Sequence, residues 1–170
     1  MKTILLLLSF FNGLYAVAQT PEEKLVKLNI TLPGLAEPMA SYVHYVRVGN
    51  LLYLSGKGPQ NDAGEYTKGK LGKDLTIEQG YEAARLTAIN QLAVLKMALG
   101  DLSKVKRIVK VNGFVNSEPT FYDHPKVING FSDLMIEVFG EKGKHARTSL
   151  GVAALPVNMA VEIEVVVEVE

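Results

Sequence analysis

Apolar and polar residues alternate strictly at the C-terminal end. Val161, Ile163, Val165, Val167 and Val169 share one face, and Glu162, Glu164, Val166 and Glu168 share the other. This period of two predicts a strand packed on one side and turned toward something more polar on the other. Between Thr76 and Leu99 the period lengthens. Ile77, Tyr81, Ala84, Ala88, Leu92, Leu95 and Leu99 recur at three- and four-residue steps, which predicts a helix with one buried stripe. Thr76 with Gln79 forms a capping box and Gly100 supplies the stop. A second helix is predicted over about 125–139, with Asp123 as cap, Pro125 in its first turn and Gly140 at its end. Its stripe is Ile128, Phe131, Met135 and Val138. Residues 42–48 and 51–55 are rich in β-formers and flank Gly49-Asn50, a pair that accepts the positive φ of a two-residue hairpin turn. Residues 108–115 read as a further strand. The order is hairpin, helix, strand, helix and two more strands, which predicts one α+β domain with two helices on one side of a mixed sheet.

The N-terminus has a different pattern. Lys2 precedes an apolar run from Ile4 to Phe11, and Ala16-Val17-Ala18 is an A-x-A site. This is the pattern of a secretory signal peptide over residues 1–18, and the run is short of the ~20 residues that a membrane span needs. The expectation is therefore an exported protein, periplasmic or secreted, with no membrane partner after cleavage. Residues 19–40 are polar and punctuated by Pro21, Pro33 and Pro38, and read as an N-terminal extension holding one short element ahead of a domain over 41–170.

Composition narrows the chemistry. The 170 residues contain no Cys, which removes thiol nucleophiles, redox pairs and zinc–thiolate sites. Lys and Arg together number 18, as do Asp and Glu, so the balance gives no sign of a nucleic-acid partner. His44, His124 and His145 stand at unrelated spacings and read as exposed or capping residues, with no metal expected. Lys104, Lys106, Arg107 and Lys110 form a small basic cluster, read as a solvated strand entrance rather than a phosphate site. No G-x-S-x-G elbow, P-loop or dinucleotide fingerprint is present, and no cofactor is expected. The remaining candidates are Arg147, which opens a predicted strand, and Glu162 on the polar face of the last one. An Arg fixed at a strand start suits a bidentate grip on a carboxylate, and a carboxylate on a polar strand face can orient water. On the residues alone, a surface ion pair for Arg147 and a solvated Glu162 carry more weight.

The motifs together say more. Val48-Gly49-Asn50-Leu51-Leu52-Tyr53-Leu54-Ser55-Gly56, Ala146-Arg147-Thr148-Ser149, Leu155-Pro156 and Val161-Glu162-Ile163-Glu164 resemble the Rid/YjgF family, over about 42–169 and in the family's order. These reactive intermediate deaminases are known in older naming as L-PSP endoribonucleases. The resemblance implies a chorismate-mutase-like α+β fold and a homotrimer with ligand clefts between subunits. It also implies roles: Arg147 holds a substrate carboxylate and Glu162 assists water. Tyr42, Ser55, Gly56, Asn129 and Ser149 complete the substrate-binding set. Ser149 stands where many family members carry Cys, and Gly151 where they often carry a charged or larger residue. The activity implied is hydrolytic deamination of 2-imino or enamine acids to 2-oxo acids and ammonia. A trimeric carboxylate-binding protein without turnover is the alternative, and an endoribonuclease ranks last.

Overall fold

Five strands and three α-helices make up the fold in the computed structural model, which describes residues 19–35 and 40–170. The predicted signal peptide lies outside the described residues. In chain order the elements are α1 (Pro21–Lys27), β1 (Tyr45–Val48), β2 (Leu51–Lys57), α2 (Ile77–Leu99), β3 (Val105–Asn116), α3 (His124–Phe139), β4 (Ala146–Val152) and β5 (Val161–Val169). The sheet order is β1-β2-β5-β3-β4. β3 and β4 are parallel, and the other neighbouring pairs are antiparallel.

β5 lies at the centre, and its alternation is obeyed to the end. Val161, Ile163, Val165, Val167 and Val169 are all buried. Each such side chain contributes on the order of 1.5–3 kcal/mol of burial free energy. The strand is covered by α2 and α3, which cross over from β2 to β3 and from β3 to β4 in the same direction. Right-handed crossovers of that kind leave both helices on one face. They pack closely because Gly130 has no side chain: a Cβ there would run into the Tyr81 carbonyl of α2. The capping box of Thr76 and Gln79 forms as expected, and Gly100 closes α2 in the left-handed region at φ 71°.

Two local expectations change. Asp123 occupies the N-cap position of α3 without making a side-chain cap bond, because its backbone (φ −87°, ψ 26°) is not extended. β3 begins at Val105 and runs through 12 residues, longer than its pattern shows. The 19–35 segment does not hang free. Thr20 caps α1 with its own capping box, Leu25 enters the core, and Glu22 Oε1 accepts from Lys96 Nζ at 2.7 Å and from the Leu102 N–H at 2.8 Å. Among the described residues no helix is long and apolar enough to cross a membrane.

Candidate functional site

β4 is an edge strand, and Arg147 pairs in register with Val111 of β3, whose side chain is buried under the helices. Cross-strand partners share a face, so Arg147 points to the helix side, toward α3. Its Nη1 donates to Asn129 Oδ1 at 2.9 Å and to Ser132 Oγ at 3.0 Å, and its Nη2 lies 3.5 Å from the Pro125 carbonyl. Asn129 and Ser132 are three apart on α3 and therefore neighbours on its surface.

Behind them stands His145. Its Nδ1 lies 2.6 Å from the Gly143 carbonyl, which can only accept, so Nδ1 carries the proton. Burial holds His145 below its usual pKa, reinforced by the Arg147 charge, and the ring is neutral near pH 7. Nε2 is then an acceptor, and Ser132 Oγ, 3.0 Å away, donates to it while accepting from Arg147. The guanidinium is thus aimed by neutral groups alone. Among the described residues no carboxylate pairs with it. Ser149, two positions along the same face, has a buried Oγ with no hydrogen-bond partner among the described residues.

Glu162 lies elsewhere. It pairs with Phe114 on the face of the sheet that the helices leave open. Gly56 lies directly against it, since a Cβ at that position would overlap Glu162 Oε1. This approach depends on an irregularity in β2 between Leu54 and Lys57. Gln91 of α2 fastens the irregularity by donating Nε2 to the carbonyls of Ser55 (3.0 Å) and Ile163 (2.7 Å). Ser55 Oγ donates to the Val43 carbonyl at 2.7 Å and so ties the segment after the exposed Tyr42 to β2. Burial raises the Glu162 pKa, and the Glu164 charge adds to it. A raised pKa suits a carboxylate that must take up a proton.

The predicted residues therefore fall into two groups. Arg147, Asn129 and Ser149 gather beneath α3, while Glu162, Gly56, Ser55 and the approach from Tyr42 gather around the open face. Within one chain the two groups lie on opposite faces of the sheet. The expectation of exposed or capping histidines is corrected. His44 is buried with its Nδ1 2.8 Å from Lys57 Nζ, His124 bonds Ser117, and His145 supports Arg147 through Ser132. Ser132 and His145 were not among the predicted site residues. The signals available were the three-residue spacing from Asn129 and the place of His145 two residues before Arg147. Among the described residues no group of His, Asp or Glu could hold a metal ion. The basic cluster disperses: Lys104 Nζ donates to the Leu99 carbonyl and Lys110 Nζ to Thr148 Oγ1.

Comparison with known proteins bears on the fold. Residues 22–169 match the family described as "YjgF/chorismate mutase-like, putative endoribonuclease". Protein TCP17 of Trypanosoma cruzi is 48% identical over 145 residues, covering 85% of this chain and 91% of its own length. A 2-iminobutanoate/2-iminopropanoate deaminase of Dermatophagoides farinae is 34% identical over 142 residues, covering 83% of this chain and 95% of its own. The crystal structure of Atu1372 from Agrobacterium tumefaciens is 44% identical. It superposes with a TM-score of 0.82 over 89% of this chain and 94% of that one.

Proposed function

From the premise that this chain belongs to the YjgF/chorismate mutase-like family, we propose that it hydrolyses 2-imino acids to 2-oxo acids and ammonia. The observation that carries the reading is the half-buried Arg147 guanidinium, fixed by Asn129 and Ser132 and lacking an anionic partner among the described residues. A buried charge without a counter-ion is costly, and a planar carboxylate is the ligand that a guanidinium fork suits best. The imine deaminase of Dermatophagoides farinae supports the same reading.

In this mechanism Arg147 holds the substrate carboxylate, and Ser149 Oγ offers a hydrogen bond close by. Glu162 accepts a proton from water as the water oxygen bonds to the C=N carbon. The C=N electron pair moves to nitrogen, which takes up a proton. The resulting carbinolamine collapses: its hydroxyl proton passes to the nitrogen, the C=O bond forms as the C–N bond breaks, and ammonia departs with the electron pair of that bond. Imines already hydrolyse in water, so general-base help of roughly 10²–10⁴-fold is sufficient.

Arg147 and Glu162 lie on opposite faces of the sheet in one chain, and this supports a cleft made by two. β4 is an edge that can bring Arg147 to the open face of a neighbour, and a closed ring of three copies uses the same contact three times. The open face carries exposed Val46, Val48, Tyr53 and Leu150, which such an assembly would cover. The test is ammonia release from 2-iminobutanoate generated in place. Wild type is expected to accelerate it over the uncatalysed rate and Arg147→Ala to abolish the gain. Wild-type protein that binds 2-oxobutanoate but accelerates nothing would leave only a carboxylate-binding role. We also infer export with cleavage after Ala18, since α1, the first element among the described residues, is capped by Thr20 just beyond that point. Intact mass of secreted protein decides this: a chain retaining Met1 contradicts it.

A further inference from the structure

A second cleft of about 320 Å³ opens between the end of β3 and the start of α3. Its walls include three consecutive-region rings, Phe121, Tyr122 and His124, and Gly151 of β4 forms part of its floor. A side chain at residue 151 would force His124 and Ser117 to move, because a Cβ there would strike His124 Nε2 and come within 2.7 Å of Ser117 Oγ. Ser117 Oγ and His124 Nε2 are 3.1 Å apart, and Phe121 meets the His124 ring edge-on with centroids 5.3 Å apart. His124 is therefore held on two sides. Burial keeps its pKa below the usual value, against a smaller opposing effect of Asp123, so the His124 ring is uncharged near pH 7, and Glu118 is the acidic residue of the lining. Tyr122 is 78% exposed, a large ring left to water with no part in the core.

The cleft lies farther along the same face of β4 as the carboxylate grip. Arg147, Ser149 and Gly151 alternate along one face of β4, which places the ends of that row about 13 Å apart. The guanidinium leans toward α3, with Nη2 3.5 Å from the carbonyl of Pro125, the residue next to His124. A ligand whose carboxylate rests on Arg147 needs a side chain several atoms long to reach the rings, and a methyl or ethyl group falls short. A ring that arrives there meets aromatic edges and faces in the offset and edge-on arrangements that such groups prefer.

We propose that this cleft is the side-chain subsite of the Arg147 site and that it selects ligands bearing an aromatic side chain, so that the preferred substrates are aromatic 2-imino acids. The proposal rests on the deaminase reading for its chemistry, but ligand choice can be measured apart from turnover. The probes are phenylpyruvate and 2-oxobutanoate, titrated into the full assembled protein by calorimetry, with ammonia release from the two corresponding imines measured alongside. Phenylpyruvate should bind at least about tenfold tighter, and Tyr122→Ala should cut that ratio about fivefold. Tyr122 is exposed enough that its loss should leave the melting temperature in place. Equal affinity, tighter binding of 2-oxobutanoate, a ratio unmoved by Tyr122→Ala, or binding of neither compound would each overturn the subsite. Selective phenylpyruvate binding without ammonia release would uphold the subsite and refute the hydrolysis. Ammonia release from both imines without aromatic preference would do the reverse.

Discussion

Replacing Arg147 by alanine removes one guanidinium and leaves two hydrogen-bond partners behind. Ser132 still donates to His145, and Asn129 lies on the exposed surface of α3, where water can take the vacated place at Oδ1. Arg147 has no carboxylate partner among the described residues, so no buried anion is orphaned. The expected cost in stability is within about 0.5 kcal/mol, as for other substitutions that break no buried network. The cost in binding should be far larger. Two charge-assisted bonds to a carboxylate at about 1.5–3 kcal/mol each amount to about 3–6 kcal/mol, or about two to four orders of magnitude in Kd. Arg147→Lys should recover little, because one ammonium cannot hold Asn129, Ser132 and both carboxylate oxygens at once. Calorimetric titration of 2-oxobutanoate measures the loss, and thermal melting measures the stability. Binding within threefold of wild type would refute the reasoning. So would a melting temperature lowered by about 10 °C, which would make Arg147 a structural residue.

Glu162→Gln should retain 2-oxo acid binding within about threefold and lower kcat by about two orders of magnitude, and an unchanged kcat would remove Glu162 from the chemistry. The same substitution makes a prediction about pH. A carboxyl whose pKa is raised on folding favours the native state below its unfolded pKa, near 4.5, and loses that contribution as pH rises through the higher folded value. Glu162→Gln should therefore melt higher than wild type at pH 7 and show no such gain at pH 4. A gain confined to low pH would contradict the assigned shift. Gln91→Ala should lower stability by about 2–4 kcal/mol in denaturant titration, since it strips a donor from the Ser55 and Ile163 carbonyls. A loss below about 1 kcal/mol would mean that Gln91 does not hold the β2 irregularity.

Much of this fold can be read directly from the chain, for identifiable reasons. β5 is central and buried on one face only, so its alternation survives intact, and α2 carries both of its terminal signals. β3 was harder to delimit because its register shifts between Val105 and Arg107 and again between Ile108 and Lys110, which breaks the period of two where it should have been visible. α1 has only one fully buried residue, Leu25, too few to show a stripe. At the site, the family motifs supplied Arg147, Glu162 and Asn129. Ser132 and His145 escaped because a serine within a helix and a histidine beside an arginine carry no period of their own. The opposite facing of Arg147 and Glu162 follows from their pairing with Val111 and Phe114, and pairing across strands is not written in any one segment.

That opposite facing is the observation on which the proposed two-chain cleft rests. Subunit complementation tests it most directly. Arg147→Ala and Glu162→Gln chains are co-expressed, mixed assemblies are isolated through distinct tags, and ammonia release from an imine is compared with each variant alone. Neither variant alone has an intact cleft. In a mixed ring of three copies, whichever variant is in the majority, one cleft of the three takes an intact Arg147 from one chain and an intact Glu162 from its neighbour. The account predicts recovery to about a third of wild-type activity. Mixed assemblies no more active than the better variant alone would contradict it.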